Sequence, residues 1–318
     1  MAGATDPQSQ PTWGVVATIK APTADTLKFA AYHIDAGAHR VVIYLDAPDP
    51  VAFSALKAHP KCRVRTCDAK HWKRLVGHRP QKHQVRQSEN ATDAYARQHD
   101  VDWLVHIDVD EFLVAERGVA TCLGAVAEGV QSLRIRPMEM LADGDDTAFK
   151  TFIAPGPDRR AVVAKLYPTF GHVLKGGFLS HVAGKVFVRT GLTDLSYRIH
   201  NVFRGDDMNP AMEDCPDIVL AHCHSTTWDS WLSHFAYRLD QGSYRSELGP
   251  AQQDGETLHS HLAKLHGAGG SDALRSFFQE VAADTPQMRT KLEAQGLLRM
   301  VTLDLEAKLA RHFPEHVD

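Results

Sequence analysis

The sequence predicts an α/β fold built on a mostly parallel sheet, with an antiparallel extension and a C-terminal helical appendage. Three observations carry this. From Trp13 onward, short runs of apolar and β-branched residues alternate with helix-length segments, the rhythm of right-handed strand–helix–strand crossovers. Three of these runs stop at a carboxylate, at Asp46, Asp68 and Asp108, so acids gather along one edge of the sheet. Later, Lys185-Val-Phe-Val-Arg189 alternates polar and apolar residues with period 2, as a half-buried antiparallel strand does.

A polar lead, residues 1–12, reads as disordered, and Trp13 to Ile19 follows as a buried strand closed by Lys20-Ala-Pro22. Thr23 caps a helix whose Leu27, Ala30, Ala31 and Ile34 share a face, and Gly37 suits its C-terminal turn. Arg40 to Leu45 is the second strand, Val51 to His59 a short helix, and Cys62 to Cys67 the third strand. A basic, histidine-rich loop from His71 to His83 leads into a helix from about Gln84 to Gln98. On that helix Arg86, Gln87 and Asn90 form a polar stripe. It reads either as solvated surface or as a contact for a nucleotide pyrophosphate, joined by Arg79 or Lys82.

Trp103 to Ile107 has the length and content of a buried strand, and it ends at Asp108-Val-Asp110-Glu111. If extended geometry persists past the strand end, Asp108 and Asp110 point the same way. Two such carboxylates repel unless a cation sits between them, and Mg2+ or Mn2+ takes oxygen ligands while leaving positions for substrate phosphates. Gly118 to Val130 reads as a helix, Leu133 to Arg136 as a strand ending at Pro137-Met-Glu139, and Leu141 to Phe170 as a long irregular excursion. Residues 176–200 alternate as antiparallel strands. Ile218 to Ala221 is a last apolar strand running into His222-Cys-His224, and Trp228 to Tyr237 is an aromatic-rich helix. From Gly242 the chain is helical and charged, broken at Gly267 to Gly270 and ending in an amphipathic stretch from Met288 to His312.

At 318 residues the chain can bury a full core. Its five cysteines are odd in number and scattered, which suits reduced thiols in the cytoplasm. A net charge of -4 gives no electrostatic case for nucleic acid. No apolar run has membrane-spanning length and the N-terminus lacks a signal-peptide pattern, so any membrane association is peripheral, at the inner face.

The block Asp102-Trp103 through Asp108, Asp110, Glu111 and Phe112 resembles the Asp-Trp-x-x-x-x-Asp-x-Asp-Glu-Phe signature of bacterial family 2-like glycosyltransferases. The resemblance extends less sharply to Tyr32-His33, Arg86-Gln87, Asn90, Gly184-Lys185, His200 and His222. It implies a glycosyltransferase A fold, Rossmann-like, for a catalytic domain at residues 13–240, with the appendage at 241–318. The implied reaction is metal-dependent transfer of a sugar, hexosyl or related, from a nucleotide-diphosphate donor to a glycan or other hydroxyl acceptor. Under it Asp110 is the primary ligand of Mn2+ or Mg2+, Asp108 a metal or ribose contact, and His222 the third protein ligand, with His224 as alternate. Asp46 would meet the base or ribose, and Lys185 and Arg189 the donor phosphates. Should the configuration invert, Glu139 is the chosen base, with Asp207, Glu213 and Asp214 as rivals. Two departures stand out: Lys20-Ala-Pro22 where relatives often carry Lys-Asn-Glu, and His222-Cys223 with Thr226-Thr227 where many show His-Tyr and a Lys-Ser pair.

A haloacid-dehalogenase-like phosphohydrolase also has an apolar strand ending in Asp-x-Asp. It places that motif on its first strand, whereas at least three strands come earlier here. A non-enzymatic histidine-rich metal-binding module is the other alternative, unsupported by any Cys-x-x-Cys pair or His-Glu-x-x-His helix. An EF-hand is excluded because the loop from Asp108 lacks a glycine at its sixth position.

Overall fold

The structure is a computed structural model and describes residues 10–97, 100–240, 242, 244 and 256–317. Most of the expected disordered lead, residues 1–9, lies outside these, as does residue 98 at the expected end of the second long helix. By contacts the chain groups into two units, neither of them continuous in sequence. One comprises residues 1–136, 184–220 and 304–318, the other residues 137–183 and 221–303. The sequence reading draws its boundary near residue 240 instead.

The chain runs β1 (Trp13–Ile19), α1 (Thr23–Asp35), β2 (Arg40–Leu45), α2 (Pro50–Ala58), β3 (Cys62–Thr66), α3 (Ala69–Leu75), α4 (His83–Arg97) and β4 (Trp103–His106). It continues through β5 (Glu111–Val114), α5 (Val119–Gly124), β6 (Ser132–Met140), β7 (Ala148–Thr151), α6 (Arg159–Leu166), a 3-10 turn (Gly171–Val173) and β8 (Lys185–Arg189). Then come β9 (Leu195–Tyr197), β10 (Val202–Arg204), β11 (Asp207–Met208), β12 (Met212–His222), α7 (Trp228–Asp240), α8 (Leu258–Val281), α9 (Pro286–Glu293), β13 (Leu298–Met300) and α10 (Leu305–His312).

In the first unit the strand order is β6-β8-β4-β1-β2-β3. The pairs β4-β1, β1-β2 and β2-β3 are parallel. On the other flank β8 lies antiparallel to both β4 and β6. Period-2 alternation sorts the strand side chains onto two faces. Val15, Ala17, Val41, Ile43, Trp103 and Val105 pack with Leu27, Ala30 and Ile34 of α1, Leu56 of α2, and Leu309 of α10. Val16, Val42, Tyr44 and Leu104 pack with Ala91, Ala94 and Tyr95 of α4. The result is a mixed α/β unit with helices on both faces, Rossmann-like in that sense. The last helix returns to this unit, where Leu309 joins the α1 face and Arg311 bonds Asp35.

The second unit pairs β7 antiparallel to the last residues of β6 and to β13. Its core is aromatic, with Trp228 and Trp231 stacked at 5.5 Å between ring centroids and Phe277, Phe278 and Tyr167 in the same cluster. Among the described residues no helix is long and apolar enough to cross a membrane.

Several expected elements differ. The strand read at Leu133–Arg136 runs through Pro137 to Met140, because the proline falls where the ladder changes partner, from β8 at Ile135 to β7 at Met138. The excursion from Leu141 to Phe170 holds β7 and α6; β7 pairs with the end of β6 just before it and with β13, far along the chain, and the second pairing leaves no local pattern. The helix read at Gly118–Val130 is short, Val119–Gly124. The glycine-rich break expected at Gly267 to Gly270 is present, as a kink in α8 at Gly270, where φ is 57° and ψ is -139°. The stretch from Met288 to His312 is two helices separated by β13, turned at Gly296 with φ of 66°.

Gly184 admits β8 to its place. Its φ is +71°, and a Cβ there would lie 2.0 Å from the carbonyl oxygen of Ile135. Gly184→Ala should therefore cost about 2 kcal/mol or more through strain plus displacement of β6, read as a lowered Tm. An unchanged Tm would contradict this account of the approach.

Candidate functional site

The acids end parallel strands, so the candidate site is built at the carboxyl edge of the first unit's sheet. β4 stops at His106, and Val109 and Asp110 form a turn, closed by the Glu111 N–H donating to the Asp108 carbonyl at 3.1 Å. The extended geometry expected past the strand end does not persist, and the chain doubles directly into β5. Glu111 is fully buried and accepts the Asp108 N–H at 2.7 Å, locking the turn from inside. Phe112 packs on α1, stacked on His33 at 6.0 Å and edge-on to Tyr32 at 5.0 Å, while the Tyr32 hydroxyl donates to the Leu113 carbonyl. The Glu and Phe of the block thus hold the loop against the sheet.

Lys185, the first residue of β8, points its ammonium into this loop. It donates to Asp108 Oδ2 at 2.7 Å and lies 3.3 Å from Glu111 Oε2. Burial alone would lower its pKa, but Asp108 and then Glu111 outweigh burial and raise it. Gln87 of α4 donates to the other oxygen of Asp108. Asp108 is accordingly an oriented carboxylate with both oxygens engaged. Asp110, in the turn, is half-buried.

Next along the edge, Asp46 follows β2. Its oxygens take Arg86 Nε and Arg79 Nη2, each at 2.8 Å. Arg86 also donates to the carbonyls of Pro80 and Gln81, tying the loop before α4 to the sheet. Asn90 is fully buried, its carbonyl 2.7 Å from His71 Nε2 and its amide 3.1 Å from Thr18 Oγ1. Arg86 and Asn90, expected to face a nucleotide, thus have intramolecular partners that knit β1, β2, α3 and α4 together. Arg189 lies over the Trp103 ring at 4.4 Å and donates to the Val130 carbonyl. Trp103 itself is buried, and Asp102 accepts both the N–H and hydroxyl of Thr12, at 2.7 and 2.8 Å.

His222, His224 and Glu139 belong to the second unit. His222 ends β12, as its sequence position suggested, with its ring 5.3 Å from that of His181 and 5.2 Å from that of His224. His224 Nε2 pairs with the Tyr244 hydroxyl at 3.0 Å, and burial, then Arg238, His222 and His181, drive its pKa well down. Glu139 is buried against the equally buried Lys150 at 3.1 Å and accepts the N–H groups of Leu179 and Ser180. Burial pushes the Glu139 carboxyl up, but Lys150 and the Ser180 and Leu179 donors outweigh it and keep the carboxyl ionised. Of the rival bases, Asp214 pairs with Arg136 at 2.9 Å, and Asp207 and Glu213 are exposed.

Sequence reasoning passed over Lys150, which donates to the Val281 carbonyl at 2.6 Å and lies 5.2 Å from the Tyr167 ring. Nothing local marks it, since its partners come from distant segments. His181 also went unmarked. The histidine repeat His222-x-His224 was the available signal for the ring cluster it joins.

No family model matches this chain, and no curated protein matches it. Among solved structures it is similar to a mycobacterial protein at 16% identity and a TM-score of 0.32, over 60% of this chain and 58% of that one. It is also similar to HddC from Yersinia pseudotuberculosis, at 11% identity and 0.31, over 56% and 76% respectively. A third likeness is to 4-diphosphocytidyl-2C-methyl-D-erythritol synthase, at 10% identity and 0.27, over 43% and 65%. The chain thus spans less than two thirds of the first and third of these.

Two outcomes follow from this geometry. Lys185→Met removes the ammonium paired with buried Glu111 and should destabilise the protein by about 3–5 kcal/mol; adding Glu111→Gln should restore part of the loss. A double variant no more stable than the single one would refute the coupling. The second concerns His106, beside the acids, and His33, on α1, both buried. Burial lowers each to about 4 from 6.5; at His106 Lys185 adds to this against Asp108 and Glu111, and at His33 the Phe29 carbonyl opposes it. The folded state therefore takes up fewer protons than the unfolded one between these values, so stability is present above pH 6.5 and is lost as pH falls toward 4. Each should cost about 2 kcal/mol between pH 7 and pH 5, and His33→Gln should flatten that slope in denaturant titrations.

Proposed function

We propose that the protein is a metal-dependent glycosyltransferase that moves a sugar from a nucleoside-diphosphate donor to a hydroxyl of a glycan or similar acceptor. The observation that carries the reading is the Asp108-Val109-Asp110 turn at the carboxyl edge of parallel strands, braced by Gln87, Lys185 and Glu111. Such an edge collects ligands, and a braced acidic turn suits a hard cation and a polyhydroxylated donor.

The donor set fits Mn2+ or Mg2+, with Asp110 as primary ligand in the half-buried turn. When bound, the ion would neutralise charge developing on the departing diphosphate. Asp108, oriented on both oxygens, accepts a donor ribose hydroxyl. Lys185 holds Asp108 and Glu111 in place, so the turn does not reorganise during transfer. Asp46, set by Arg79 and Arg86, borders the nucleoside end.

A thermal-shift panel of nucleoside diphosphates and sugar nucleotides, with and without Mn2+, tests this. One nucleotide should stabilise the protein only with metal, by about 2.7 kcal/mol at a hundredfold excess over Kd. Asp110→Asn should abolish the metal requirement together with the shift. An equal shift in that variant, or release of inorganic phosphate instead of nucleotide from a sugar nucleotide, would overturn the assignment and favour a phosphohydrolase.

A further inference from the structure

The second unit carries a different cluster of metal-binding side chains, unrelated to the acidic turn. α8 opens with a capping box: Thr257 accepts the Ser260 N–H at 3.0 Å, and Ser260 Oγ accepts the Thr257 N–H at 3.0 Å. A capping box brings the residue before the cap against the fourth helical residue, and in most helices that pair is apolar. Here the two positions are Glu256 and His261.

Glu256 Oε2 lies 3.2 Å from His261 Nδ1 and 3.2 Å from Nε2 of His172, which the Gly171–Val173 turn presents. All three candidate ligand atoms fall within 4.8 Å of one another. For bonds of about 2.0–2.1 Å in a tetrahedron, neighbouring ligand atoms lie about 3.3 Å apart, and the two edges that meet at Glu256 Oε2, each 3.2 Å, match that spacing. The rings of His172 and His261 are nearly perpendicular, at 86°, and Phe170 and Phe277 back His261 at 5.7 and 6.2 Å. His261 is therefore held by packing. Lys264 takes the other carboxylate oxygen, Oε1, at 2.7 Å, while remaining 73% exposed. That contact orients the carboxylate as an outer-shell donor does and leaves Oε2 facing the two imidazoles.

We propose that His172 Nε2, Glu256 Oε2 and His261 Nδ1 form a Zn2+ site that ties the Gly171–Val173 turn to the start of α8. Two imidazoles and one carboxylate are a borderline set that favours Zn2+ over Mg2+ or Ca2+, and three protein ligands leave a fourth position for water or a further ligand.

Full-length protein stripped with chelator and titrated with Co2+, then with competing Zn2+, tests the site. A tetrahedral Co2+ visible band should appear at one equivalent and be displaced by Zn2+. His172→Ala replaces a partly exposed side chain and should keep its fold by circular dichroism, while affinity at this band falls at least about tenfold. Glu256→Gln should do the same. His222→Ala should leave the band unchanged, which separates this cluster from the other histidines. No band in the wild-type protein, a band indifferent to His172→Ala and Glu256→Gln, or one lost in His222→Ala would each overturn the proposal.

Discussion

A single buried ammonium decides the arrangement of the acidic edge. Lys185 lies between Asp108 and Glu111, in a place where a buried carboxylate without a cation would be costly. Unpaired, the loop would have to protonate an acid or open to water. With Lys185 in position, Glu111 can stay fully buried and hold the Asp108 N–H, and the chain can turn from β4 straight into β5. Gly184 is part of the same constraint, since only a residue without a side chain lets β8 approach Ile135 closely enough to deliver Lys185.

The second unit solves a similar problem with similar chemistry. Lys150 and Glu139 are both buried, and each also has backbone partners, the Val281 carbonyl on one side and the Leu179 and Ser180 amides on the other. Such pairs add little net stability compared with apolar residues of equal volume. What they impose is geometry, because each partner accepts few alternatives. In the first unit that geometry orients a carboxylate at a strand exit; in the second it pins residues 179–180, beside His181, to β6.

Charge around Asp46 follows the same pattern. Asp46 engages Arg79 and Arg86, and Asn90 links His71 to Thr18. Side chains whose types suggested ligand contacts hold the framework that shapes the edge. A ligand at this edge would meet a surface whose groups are already oriented, which lowers the reorganisation needed on binding.

Local pattern alone was enough for β1, β2, α1, α4 and the order in which they alternate, because buried strands and amphipathic helices write their periodicity into contiguous residues. The same is true of the place of the acids after β4 and of His222 at the end of β12, though not of the turn the acids adopt. Tertiary structure alone decided which acids are paired, since Lys185 reaches Asp108 across 77 residues of sequence and Lys150 bonds Val281 across 131. It also decided β7, whose partner β13 lies far along the chain, and the return of α10 to α1. Periodicity records whether a residue faces a core; it carries no record of which distant charge, strand or helix completes that core.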